Sequence, residues 1–302
     1  DYNGWWMCLI PTAVVRDVGL PLPVFIKWDD AEFGLRAAAA GYPTVSLPGV
    51  AVWHVPWTDK DDSVDWQAYF HARNRFVVAL LHSPFEHGGR MLRESLGIQV
   101  KHLLALQYSA ATLRQQALED VLAGPERLHH QLPLRLGELR ELRARYTDAQ
   151  VRPDPDDFPP VRPRRERGRS RRLSTPRGRP AILTAVAFGL LHQLLPVRAG
   201  AKEHPERVVT AADGGWWQLG RQDSVLVSTT DGTGQSWHQR DRRAAGRALR
   251  DAVEVHQRLL REWPALAQRY RSQMAEMVSQ DSWRKTLQAA DPVDEDGPDE
   301  TK

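Results

Sequence analysis

Cysteine is almost absent: Cys8 is the single one in 302 residues. That excludes an internal disulfide framework and any cysteine-built zinc module. It also leaves the compartment unconstrained by disulfides, with a cytosolic address as the plain default. Long apolar runs are missing as well. No stretch reaches the ~20 residues that a membrane-spanning helix needs, and the apolar text from Ala181 to Leu195 stops at Pro196. No methionine opens the chain, and no charged-then-apolar leader follows Asp1. Asp1-Tyr2-Asn3-Gly4-Trp5-Trp6 reads as the middle of a folded unit, which predicts a chain whose N-terminal part lies upstream. There is no internal repeat. With 41% hydrophobic and 26% charged residues, wholesale disorder, a fibre and a polytopic membrane protein are excluded.

What is present is enough sequence for about two domains at ~100–200 residues each, and eleven tryptophans. Tryptophan joins a large flat apolar face to one N–H donor, which suits core packing or stacking on sugars. Residues 1–88 read as α/β. Pro11–Val15 and Val24–Lys27 are short apolar runs bounded by proline and glycine, the pattern of buried strands. Thr44–Trp53 reads as a third strand. Asp30–Ala40 and Asp65–Leu81 have helical spacing, with Gly41 at the first helix's C-terminus. Residues 89–150 form a leucine-spaced helical region, with Met91–Ala123 stopped by Gly124-Pro125 and Leu128–Tyr146 broken early by Pro133.

Residues 151–180 are a proline- and arginine-rich linker. Residues 181–290 read as a mostly helical domain with a strand pair between Val208 and Thr230, closed by Asp231-Gly232-Thr233-Gly234. A long amphipathic region from Arg240 to Ala290 follows, with a break at Pro264. Residues 291–302 form an acidic disordered tail. The net charge of +3 conceals an imbalance: Arg162–Arg179 holds nine arginines and one glutamate, leaving the rest of the chain at −5. A solvated linker is the bland reading, and contact with anionic headgroups the functional one. No nucleic-acid motif or aromatic interleaving accompanies the basic run.

Chemistry concentrates in two strings. Trp28-Asp29-Asp30-Ala31-Glu32 sets acidic residues where a helix N-terminus would welcome a carboxylate. That need accounts for one of them. The excess suits a metal, a sugar hydroxyl or a base role. In Trp53-His54-Val55-Pro56-Trp57, the histidine is either a hydrogen-bonded packing residue or a ligand for a divalent ion, at the kind of strand end where α/β sheets bind ligands.

These two strings, with Asp1–Trp6, Lys27–Arg36 and Tyr69-Phe70-His71-Ala72-Arg73-Asn74-Arg75, resemble the polymerising galactofuranosyltransferases of mycobacteria and related actinobacteria, which are family-two glycosyltransferases. Ala212–Trp217 and Trp263–Leu266 carry the resemblance into the C-terminal region. It implies the C-terminal part of a GT-A domain, an α/β fold, followed by a mostly α-helical domain. It also implies an inverting transferase that moves galactofuranose from UDP-galactofuranose onto a lipid-linked galactan. Asp30 would then be the catalytic base, and His54 a ligand of Mn²⁺ or Mg²⁺. Trp5, Trp6, Trp28, Asp29, Trp57 and His71 would line the substrate site. The same resemblance implies a homo-oligomer, cytoplasmic and peripheral on the inner membrane face, with no nucleic-acid partner. One departure stands out: no Asp-x-Asp motif precedes Asp29. Asp154-Pro155-Asp156 has the letters but lies in the linker, so it is rejected as the metal site, and the nucleotide-binding half is expected upstream. Rhamnosyl transfer by another family-two enzyme, or a non-catalytic carbohydrate or membrane-surface module, are the rival readings.

Overall fold

The computed structural model of the protein describes residues 4–47, 49, 52–53, 62–163 and 174–290. In chain order the helices of the first half are α1 (Thr12–Val18), α2 (Asp29–Ala39), α3 (Gln67–His82), α4 (Met91–Leu104), α5 (Tyr108–Ala123), α6 (Leu128–Gln131) and α7 (Arg135–Ala144). Then come α8 (Arg179–Leu194), β1 (Arg207–Val209), α9 (Trp216–Leu219), β2 (Ser224–Ser228) and β3 (Gln235–Gln239). The chain closes on α10 (Arg242–Ser272), α11 (Met274–Met277) and α12 (Gln280–Ala290). The described residues are therefore mixed α/β, with one small sheet and a majority of helix.

The strand pair expected between Val208 and Thr230 forms, as β1 and β2, whereas the strands expected in residues 1–88 do not appear among the described residues. Pro11–Val15, expected as a strand, instead opens helix α1: Pro11 precedes the helix, Gly19 at φ 85° ends it, and Val14 is its one buried residue. Its backbone bonds close locally, because the described part of residues 4–53 holds no strand to pair with. Val24–Lys27 is a turn, and the carbonyls of Phe25 and Lys27 are taken by the Asn74 side chain. The described residues of Thr44–Trp53 form no ladder, and Trp53 is 98% exposed. The sheet instead has the order β1-β2-β3, parallel for the first pair and antiparallel for the second. Strand β3 follows the predicted closing turn and escapes a hydrophobic reading because its inward residues, Ser236 and His238, are polar.

Helical breaks also follow burial more than propensity. The expected Met91–Ala123 helix divides at Leu106, which sits at φ 57° while Gln107 N–H reaches back to His102 O. Glycine usually takes that position. The left-handed cost is ~1–2 kcal/mol, and full burial of a leucine returns ~1.5–3 kcal/mol; Leu106 is fully buried. Pro264, by contrast, does not break α10. It lies on the solvent side of the helix, where water can satisfy the freed carbonyl.

One apolar core joins the front of the chain to its end: Leu22 and Val24, Phe76, Leu80 and Leu81 of α3, Leu118 and Val121 of α5, and Leu259, Trp263, Leu266 and Tyr270 of α10. Polar stitches reinforce it. Trp283 Nε1 donates to Pro21 O at 2.9 Å, and Arg271 Nε donates to Leu81 O at 2.9 Å, capping the end of α3. Helix α2 is fixed by an ion network. Glu32, fully buried, accepts from Arg36 Nε at 2.8 Å and pairs with His82 Nε2 at 3.0 Å. Arg36 continues to Val18 O and Leu20 O.

Two changes test this framework. Glu32→Ala leaves the buried Arg36 guanidinium without its carboxylate and should cost about 3–5 kcal/mol; urea denaturation of the 302-residue chain measures it, and a loss under ~1 kcal/mol would show that the pair does not hold α2. Gly88 sits at φ 66°, and a Cβ there would lie 2.6 Å from the Trp263 ring. Gly88→Ala should therefore destabilise by about 1–3 kcal/mol from overpacking alone, read in the same titration.

Candidate functional site

Helix α2 begins at Asp29, directly after Trp28, which is left-handed at φ 68° and makes no side-chain cap. Asp29 and Asp30 are thus the first two helical residues, in the field of the helix N-terminus. Asp30 Oδ1 accepts from Ala31 N–H at 2.7 Å. Burial raises the pKa of Asp29, and the neighbouring Asp30 charge adds to this, while amide hydrogen bonds at residues 29 and 30 oppose it. Glu32 leaves the group: its ion pairs with Arg36 and His82 turn it into the core. Two carboxylates, not three, remain for chemistry.

Asp30 opens on a cavity of about 120 Å³ lined also by Trp5, Cys8, Phe33, Gly34 and Tyr42. Trp5 is held against α2 by an edge contact with Phe33, ring centroids 5.6 Å apart. Trp6 is 58% exposed beside it. On the other side of the turn, Trp28 Nε1 donates to His71 Nδ1 at 3.0 Å. Burial lowers the His71 pKa, and the Arg114, Lys27 and Arg75 charges add to the shift, so the ring is neutral at pH 7. With Nδ1 accepting, its proton sits on Nε2. Trp5 and Asp30 therefore share one cavity, while Trp28 and His71 form a pair next to Asp29. His54 and Trp57 lie outside the described residues.

The sequence reading missed the groups that hold this turn. Lys27 Nζ pairs with Asp62 Oδ2 at 2.6 Å, and Gln67 Nε2 donates to Asp62 Oδ1 at 2.8 Å and to Asp65 Oδ2 at 3.1 Å. Asn74 Nδ2 donates to the carbonyls of Phe25 (3.1 Å) and Lys27 (2.8 Å). The one available signal was the His71-to-Asn74 spacing of three, which puts both side chains on one helix face. Asp154 has a local task, accepting from Asp156 N–H at 2.9 Å as the cap of a short 3₁₀ turn. Among the described residues no three His, Cys, Asp or Glu side chains gather as a metal site.

Comparison with known proteins bears on both halves of the chain. The family model "Galactofuranosyltransferase-2, domain 3" matches residues 91–289, and "Glycosyltransferase like family 2" matches residues 2–79. The galactofuranosyltransferase GlfT2 of Mycolicibacterium smegmatis is 42% identical over 287 residues, which is 95% of this chain and 44% of that protein. GlfT2 of Mycobacterium tuberculosis is 39% identical over 289 residues, 95% of this chain and 45% of that protein. The chain thus spans a little under half the length of these relatives. Its glycosyltransferase segment carries the acidic turn and its longer domain-3 segment packs against it, and the chain belongs to the GlfT2 family of galactofuranosyltransferases.

Proposed function

We propose that this chain carries the proton-accepting side of an inverting transfer of galactofuranose from UDP-galactofuranose to a lipid-linked galactan. The observation that supports it best is the Asp30 carboxylate facing a cavity walled by Trp5 and Phe33. In this reading Asp30 takes the proton from an acceptor sugar hydroxyl as that oxygen bonds to the anomeric carbon. The bond from that carbon to the UDP oxygen breaks, and UDP leaves with the electron pair. Trp5 and Trp6 offer faces to the acceptor sugars, joined by Trp57. Trp28, aligned by the neutral His71, and Asp29 line the remainder.

Family-two glycosyltransferases typically work with a divalent metal, for which Mn²⁺ and Mg²⁺ are our candidates. The described residues gather no cation site by themselves, so no step is derived through a metal. His54 would supply one imidazole to such a metal.

No described helix is long and apolar enough to cross a membrane. Docking of the enzyme on the inner membrane face is instead supported by α8. That helix packs through Gly189 and Gln193, leaving Leu183, Phe188, Leu191 and Leu194 between 55% and 68% exposed along one face. Nine arginines lie between Arg162 and Arg179, at its N-terminal side. An apolar face beside a basic run suits anionic lipid. A homo-oligomer is part of the same proposal.

In the full-length transferase, Asp30→Asn should lower turnover of UDP-galactofuranose by ~10²–10⁴-fold, because an amide cannot accept the proton, with an unchanged circular dichroism spectrum. Activity within about tenfold of the parent, below that general-base range, would remove Asp30 from the role. For docking, sedimentation with liposomes rich in anionic lipid should fall when Leu183 and Leu191 are both changed to Asp. It should also weaken as salt shortens the ~8 Å Debye length of physiological buffer. Binding that ignores both changes would leave α8 as an ordinary surface helix.

A further inference from the structure

Outside glycine, three described residues have left-handed backbone: Ile26 (φ 67°), Trp28 (φ 68°) and Leu106. Two of the three lie in the four residues that lead into Asp29. For an L residue this conformation is disfavoured by about 5- to 30-fold, and for β-branched isoleucine it is a true outlier. Burial does not explain it, since Ile26 is 42% exposed. Such a turn persists only where its surroundings over-determine it.

Asn74 supplies that constraint. Its side chain is fully buried in α3. One amide nitrogen, Nδ2, donates to Phe25 O and to Lys27 O, so it bridges across Ile26. Oδ1 accepts from Arg73 Nε at 2.9 Å, which fixes the orientation of the amide. A reversed amide would set its oxygen against two carbonyl oxygens. One turn of α3 earlier, His71 takes the Trp28 indole N–H and holds the second left-handed residue.

We propose that Asn74 is a positioning residue for the transfer reaction, holding the Phe25–Trp28 turn in the conformation that delivers Asp30 to the cavity. This rests on Asp30 being the proton acceptor. Asn74 itself touches no reacting group. Leucine at this position keeps the volume and donates nothing. Aspartate keeps the size and puts a carboxylate against the two carbonyls.

In the full-length transferase, Asn74→Leu and Asn74→Asp should lower kcat by about 10²-fold, the usual effect of an ångström-scale misplacement, and change the donor KM by less than about threefold, as expected when transition-state positioning alone is lost. Adding Ile26→Gly to Asn74→Leu removes the left-handed penalty at residue 26 and should recover about tenfold in kcat. A residue that merely packs would lower the melting temperature without that rescue. If kcat stays at the parent value, or falls and Ile26→Gly recovers nothing, the assignment is overturned. A second measurement is independent of any reaction. In the 302-residue chain, hydrogen exchange over residues 24–31 should be about tenfold faster in Asn74→Leu than in the parent, and equal exchange overturns the clamp. An active Asp30→Asn enzyme combined with accelerated exchange would instead sink the base assignment and leave the clamp standing.

Discussion

Helix α3 is buried over eleven of its sixteen residues, yet it buries Arg73 and Asn74 among its apolar side chains, with His82 half-buried and His71 on its exposed side. A buried polar group without a partner costs ~1–3 kcal/mol, and a charged one more. The neighbours of α3 must therefore present complementary groups, and most of them come from the segment between Val18 and Arg36. Asn74 takes carbonyls at 25 and 27, His71 takes an indole at 28, and His82 meets Glu32. Arg73 is treated differently. Among the described residues only its Nε is bonded, and its guanidinium lies 5.3 Å from the ring centroids of both Tyr69 and Phe70. Cation–π attraction strengthens on desolvation, and the aromatic ring faces surround a charge that no described carboxylate neutralises. Satisfying one polar helix thus dictates the path of the chain through the acidic turn.

The helical core extends this electrostatic control. Arg114 of α5 is buried and bonded to Gln99 and Ser95, with no ion pair among the described residues. Burial pulls its pKa down to about 10. Three histidines feel its charge. His102 is lowered to about 4, by burial first and by Arg114 second, and His71 and His256 are lowered by the same two causes. For His71 this has a structural meaning. A protonated ring would offer two donors and lose the acceptor that holds Trp28. The domain-3 segment therefore helps keep the acceptor state on which the Trp28 contact relies.

Much of this was legible in the sequence, and the failures share a cause. Helical segments with a long 3.6-residue period, Asp30–Ala40 and Asp65–Leu81, emerged close to their predicted bounds, and Arg240–Ala290 emerged as helix divided after Ser272 and Met277, not at the predicted Pro264. Short apolar runs did not. Pro11–Val15 and Val24–Lys27 have too few residues for a period to distinguish strand from helix or turn, and what decided them was which groups satisfied their backbones. In Val24–Lys27 that group was a side chain 47 to 49 positions away, which no local pattern encodes. The same holds at the site. Asp29, Asp30 and the tryptophans stood out by residue type. Glu32 looked like part of the acidic group until Arg36, one helical turn on, claimed it. Asn74 was visible only as a letter in a motif.

The acidic turn also clarifies how the Asp30 carboxylate can be held accurately without a described strand beneath it. Sites on loops are less precise than sites on regular elements unless their supporting shell is locked. Here three hydrogen bonds between the turn and α3, at about 0.5–1.5 kcal/mol each, face two left-handed residues at ~1–2 kcal/mol each. These terms nearly cancel, so the turn is not stable on its own account. The Lys27–Asp62 ion pair and the Glu32–Arg36–His82 network add what the balance lacks, one on each side of Asp29 and Asp30. A turn so near balance depends on each of these supports. Side chains projecting from buried helices take the place of a sheet edge, and the accuracy of the Asp30 carboxylate depends on the core residues that hold α3 in place.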